Sequence, residues 1–149
     1  MVDRLTKSQR SRNMSRIGRA NTRPELAVRR ILHRAGYRFR LHRRELPGTP
    51  DIVLPGRRTV VFVHGCFWHR HPGCRHATVP STRRDFWLNK FEANVCRDSR
   101  VHSELAELGW NVVVVWECEI RDHDTLLQRL CQELEQISPT RLARASKQL

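Results

Sequence analysis

The chain has 149 residues, enough for one domain with a buried core. Its 28 Lys and Arg against 15 Asp and Glu leave a net charge of +13 spread along the chain. That excess points to a polyanion, and DNA, ribosomal RNA or a membrane surface would satisfy it equally. No segment approaches the length of a membrane span, and Arg4, Lys7, Arg10, Arg12 and Arg16 interrupt every apolar stretch where a signal peptide would lie. The odd count of five cysteines argues against a disulfide scaffold and for a reducing compartment, so a soluble intracellular protein is expected.

Residues 1–20 are basic and hydroxyl-rich, with Met14 and Ile17 as their main apolar points, and suit a short helix or an arm that orders on a partner. Thr22-Arg23-Pro24-Glu25 has the form of a capping box. It predicts a helix to about Ala35, with Ala27, Val28, Ile31, Leu32 and Ala35 on one face and Gly36 as its stop. Tyr37 to Leu41 alternates like a strand, Leu46 to Pro50 is a turn, and Asp51 to Leu54 is a short strand. After Pro55-Gly56, Thr59 to Val63 forms a buried strand.

Pro80-Ser81-Thr82 should open a long helix carrying Leu88, Phe91, Val95, Leu105 and Leu108 and ending at Gly109. Asn111 to Trp116 is the most β-prone run. A last amphipathic helix (Leu126, Leu127, Leu130, Leu134, Ile137) halts at Ser138-Pro139, and residues 138–149 form a basic tail expected to be disordered. Strands on both sides of a long helix predict an α/β (α+β) domain over residues 21–137, a mixed sheet flanked by helices. Glycine-rich phosphate loops are absent, which disfavours nucleotide binding.

Residues 64–74 hold the densest chemistry. Cys66, His71 and Cys74 fit a zinc site short of a fourth ligand, and Cys118, at the end of the other long apolar run, offers one if the two strands pair. His69 and His76 are alternative imidazole ligands. The competing view, that the thiols are small core residues, fits poorly with a loop marked by Pro72-Gly73. Phe67 and Trp68 are consecutive in this polar loop, so both cannot easily point inward. Asp51 ends a turn and supplies a carboxylate for a second, hard cation, although a turn aspartate satisfied by backbone amides would look the same.

Several motifs together resemble the very-short-patch-repair (Vsr) mismatch endonucleases. They are Asn13-Met14, Thr22-x-x-Glu25, Leu46-Pro47-Gly48-x-Pro50-Asp51, His64-Gly65-Cys66-Phe67-Trp68-His69, Phe86-Trp87-Leu88-x-Lys90, Asn94-x-x-Arg97-Asp98 and Trp116-Glu117-Cys118. The resemblance runs from about Ser11 to Arg121 and implies a restriction-endonuclease-like fold with a structural zinc. It implies an enzyme that uses magnesium to nick one strand 5′ to the thymine of a T:G mismatch left by deamination of 5-methylcytosine.

Carried over residue by residue, the resemblance makes Asp51 and the backbone carbonyl of Val63 the magnesium contacts. His69 becomes the general base, with His64 and Glu25 supporting metal-bound waters and phosphate. Cys66, His71, Cys74 and Cys118 become zinc ligands, and Met14, Phe67, Trp68 and Trp87 wedge into the DNA stack. Glu25 already has a full structural task in the capping box, and Met14 could equally be a minor core contact. Val63 stands where a hydroxyl-bearing residue is expected, and Phe62-Val63-His64 replaces the acid-x-Lys half of the usual nuclease motif. The implied partner is double-stranded DNA bearing the mismatch, met by a monomer in the bacterial cytoplasm at the nucleoid; assistance from mismatch-repair proteins stays open. The rival of a different class is a non-catalytic zinc-containing nucleic-acid-binding module, which would have no use for Asp51 and His69.

Overall fold

A computed structural model describes residues 21–137. The expectations for the arm at 1–20, including Met14, and for the tail at 138–149 lie outside the described residues. The elements in chain order are α1 (Arg23–Arg34), β1 (Arg40–Leu41), β2 (Ile52–Leu54), β3 (Thr59–His64), α2 (Arg84–Glu107), β4 (Asn111–Trp116) and α3 (His123–Gln136). The strands form one mixed sheet in the order β1-β2-β3-β4; β1/β2 and β2/β3 are antiparallel and β3/β4 parallel. A parallel pair needs a crossover, and α2 supplies it.

The period-2 alternation of β3 sorts the core into two layers. Ile52, Leu54, Val61, Val113 and Val115 face α1 and α3, which contribute Val28, Ile31, Leu32, Leu126, Leu130 and Leu134. On the opposite face Val53, Val60 and Phe62 meet Leu105 of α2 and Trp110 just beyond it. A chain of 3.6-period helices and period-2 strands thus buries both sheet faces, as its pattern predicted.

Three details differ from the sequence reading. Tyr37 to Leu41 pairs only at Arg40 and Leu41, while Tyr37 and Phe39 turn to pack against the first core layer. The long helix starts at Arg84, not at Ser81, since Arg83 adopts a left-handed conformation (φ 55°) and no side chain caps the helix. Of its expected apolar face only Phe91 and Leu105 are buried, while Leu88, Val95 and Leu108 are 41%, 44% and 54% exposed. Length accounts for Leu88: 24 helical residues span about 36 Å and six-residue strands about 20 Å, so the helix runs past the sheet. Val95 instead lines the cleft beside His64 and His69.

The α1 cap also departs slightly from a standard box. Thr22 Oγ1 accepts from the Glu25 amide, but Glu25 reaches one residue further back, to the amide of Asn21. Glu25 is therefore held at the helix start and is buried.

Gly48 fixes the turn before β2. Its φ is +72°, and an added Cβ would lie 2.5 Å from Cγ1 of Val101, a β-branched side chain with little freedom to yield. Gly36, at φ +87°, has no neighbour within 4 Å of an added Cβ. Gly36→Ala should therefore cost only the left-handed penalty of about 1–2 kcal/mol, whereas Gly48→Ala adds an overpacking cost of about 1–3 kcal/mol. Thermal melts of the two variants check this, and equal losses would contradict the contact.

Candidate active site and metal centre

Two segments converge beyond the ends of β3 and β4. The parallel register sets His64 opposite Trp116, so the loop after β3 and the 3-10 turn after β4 (Glu117–Arg121) leave the sheet side by side. Cys66, His71, Cys74 and Cys118 thereby bring one donor atom each to within 4.8 Å of the others. His71 Nδ1 lies 3.4 Å from Cys118 Sγ and 3.7 Å from Cys66 Sγ, and its ring stacks on Trp116 at 4.3 Å. All five cysteines carry free thiols. Burial pushes the Cys66 thiol up to about 12, so a thiolate there requires a compensating cation. Three sulfurs and one imidazole nitrogen form a set that suits zinc. Neither alternative imidazole is in the cluster: His69 is engaged elsewhere and His76 is exposed.

The loop is clamped by Arg70, which sequence reasoning passed over as one cation among many. Its guanidinium donates to the carbonyls of Phe67, Ala77 and Thr78 and sits 3.9 Å above the Phe91 ring. One side chain thus ties both ends of the loop to α2.

A second cluster joins His64, His69 and Asp98. Asp98 Oδ2 lies 2.7 Å from His69 Nδ1, and a carboxylate can only accept, so the proton sits on Nδ1 and leaves Nε2 with a free lone pair. His64 stacks on His69 with centroids 3.8 Å apart and rings 5° from parallel. Burial, and then the neighbouring His69, push His64 down to about 3, so it is a neutral imidazole at physiological pH. Asp98 stood in a quoted motif without a role; only the packing of α2 against the loop reveals one.

The third cluster is Glu25, His42 and Asp51. Asp51 Oδ2 accepts from the Val63 amide at 2.7 Å, next in the chain to His64, which links this cluster to the second. Burial raises Asp51 from 3.8 to about 6, against the lowering effect of that amide. Glu25 Oε2 lies 3.3 Å from Arg29 and 3.6 Å from His42. Arg29 and His42 escaped sequence reading because helix periodicity and a basic composition give them no distinguishing mark.

Phe67, Trp68 and Trp87 share one half-buried surface over the buried Phe91, with ring centroids 5.0 to 5.9 Å apart. Asn94 donates to the Trp68 carbonyl and Lys90 lies over the Trp68 ring. Phe86, just outside this group, is 45% exposed. An aromatic cluster with a basic rim at the overhanging end of a helix is a surface suited to stacking.

Sequence comparison accords with this assembly. A family profile described as "DNA mismatch endonuclease Vsr" matches residues 2–75. The DNA mismatch endonuclease Vsr of Escherichia coli K12 is 44% identical over 137 residues, covering 91% of this chain and 87% of that protein. The chain belongs to the Vsr family. Other Vsr-related proteins include the type II nicking enzyme V.XorIIP of Xanthomonas oryzae pv. oryzae, 56% identical over 130 residues (87% of this chain, 95% of the relative). Type II nicking enzyme V.NmeAIP of Neisseria meningitidis is 41% identical over 137 residues (92% and 97%). The Vsr resemblance noted in the sequence therefore holds over most of the chain.

The raised Asp51 makes this member of the Vsr family pay in stability for its site. An acid whose folded pKa lies above its unfolded value stabilises the fold fully below about 3.8 and loses that contribution as pH rises through about 6. The gap corresponds to about 3 kcal/mol. Asp51→Asn can keep the bond from the Val63 amide without the charge. In magnesium-free buffer it should melt higher than the wild type at pH 8 and no higher at pH 4. A variant equally or less stable than the wild type at pH 8 would show that Asp51 is not desolvated.

Proposed function

We propose that this chain is a magnesium-dependent, zinc-stabilised endonuclease that nicks one strand 5′ to the thymine of a T:G mismatch. Membership of a family described as DNA mismatch endonucleases supports the substrate, and the name of its nicking relatives supports a single cut. The observation that carries the chemistry is the linked pair of clusters on β3. A desolvated carboxylate is bonded to the Val63 amide, and a His–Asp pair is stacked on the next residue. A non-catalytic module would gain nothing from either.

Asp51 and the Val63 carbonyl are the oxygen donors that would hold magnesium, with Glu25 close by to orient bound waters. When bound, magnesium supplies charge neutralisation at phosphorus and stabilises the leaving 3′ oxygen. His69 takes the proton of the attacking water on Nε2, and Asp98 fixes the tautomer and stabilises the imidazolium. His64, stacked on His69, sets the ring plane and supports the phosphate. Cys66, His71, Cys74 and Cys118 would hold zinc, whose role is structural: it fixes the loop that carries His69.

Phe67, Trp68, Trp87 and, from the arm, Met14 enter the stack beside the mismatch, where a weak pair lowers the cost of unstacking. The mixed sheet with helices on both faces fits a variant of the restriction-endonuclease-like fold. No helix among the described residues is long and apolar enough to cross a membrane. The protein would act as a monomer on cytoplasmic DNA.

Labelled duplexes with T:G or T:A at one position, with and without magnesium, test the reading. Nicking should appear only with T:G and magnesium. His69→Ala should slow it by about 10²–10⁴-fold and Asp51→Ala should abolish it, with mismatch binding retained in both. Cleavage by Asp51→Ala would assign the metal to another carboxylate. Trp68→Ala and Trp87→Ala should erode the T:G over T:A preference in binding; a preference untouched by both would make these rings structural.

A further inference from the structure

The second cluster has the donor set of a metal site as well as that of a general base. His64, His69 and Asp98 each present an atom within 4.8 Å of the other two. They border a cleft of about 510 Å³ whose walls also include Ser99, His102 and Trp116. The His102 ring lies parallel to His64 at 6.1 Å. Metal–ligand bonds of about 2.0–2.2 Å place the donors of a tetrahedral ion about 3.3 Å apart. Donors already within 4.8 Å reach that spacing by small side-chain shifts.

The chemistry of the three clusters separates by ligand type. Three thiols and an imidazole suit a closed zinc site, and the carboxylates beside Asp51 suit a hard cation that avoids nitrogen. Two imidazoles and one carboxylate suit zinc, nickel or cobalt and leave a coordination position open, which a cleft can fill with water.

We propose that His64, His69 and Asp98 form a third metal site, open to the cleft and selective for divalent transition-metal ions that bind imidazole, and that filling it switches nicking off. Binding is independent of the proposed function; the switch rests on the reading of His69 as the base, because an ion on His69 and Asp98 disrupts the pair that activates water.

The test uses the full chain with its structural zinc retained and cobalt(II) as the probe, titrated by calorimetry and visible absorption. One further equivalent should bind, with the weak bands of nitrogen and oxygen ligation and no sulfur-to-cobalt charge transfer. His69→Gln and Asp98→Asn should each weaken it by about tenfold or more, in protein whose melting temperature shows it folded. Asp98→Asn alone decides if His69→Gln does not fold. Added zinc should stop T:G nicking at saturating magnesium, and further magnesium should not restore it. No extra equivalent of cobalt, or equal affinity in the variants, overturns the site. Rescue by magnesium overturns the switch, since the ion would then sit at Asp51. Failure of the nuclease reading shows separately, as absence of nicking before zinc is added, and the cobalt titration still decides the site.

Discussion

Everything at the functional end of this molecule depends on the parallel pairing of β3 with β4. Two six-residue apolar strands in register from Thr59↔Asn111 to His64↔Trp116 bring together segments some fifty residues apart in sequence. Without that pairing Cys118 has no route to Cys66 and His71. The segment between β3 and α2, residues 65–83, would then be a nineteen-residue excursion with two prolines and two glycines and no core of its own. With it, the loop is tied at the sulfur cluster, at Arg70 and at Asn94, and its aromatic residues stand on α2.

The same end of the sheet concentrates unfavourable electrostatics. Asp51 is desolvated near Glu25, His64 is buried as a neutral ring, and Cys66 is a thiol that resists ionisation. Each condition is costly in an empty site, and each is eased by a cation of the matching type. Carboxylates, thiols and imidazoles thus gather where a cation would stabilise them, in a chain that otherwise carries a large surplus of positive charge. This contrast distinguishes the clusters from the basic surface around them: surface cations attract a polyanion, while desolvated titratable groups mark a candidate site for chemistry on it.

Much of this was legible in the sequence because it is local or periodic. The alternation in β3 and β4 and the leucines of α3 follow from burial on fixed periods, and Cys66, His71 and Cys74 come together because they share one short loop. Features that depend on where elements pack escaped. Asp98 meets His69 only because α2 passes over the loop, and His42 meets Glu25 only because the chain turns back beside α1. Leu88, Val95 and Leu108 have the spacing of a buried face, but helix periodicity carries no information about what packs against it. Val63 shows the opposite case. Its side chain broke the expected pattern, yet its backbone is what touches Asp51, and backbone contacts tolerate substitution.

One zinc ion held by Cys66, His71, Cys74 and Cys118 would join the end of β3 to the end of β4 and so build the site. X-ray absorption at the zinc edge, on protein purified without added metal, tests it most directly. One zinc per chain is expected, with three sulfur neighbours at about 2.3 Å and one nitrogen at about 2.0 Å. Folded protein without zinc, or a shell of two sulfurs with two nitrogen or oxygen ligands, would show that Cys118 does not close the loop and would contradict it.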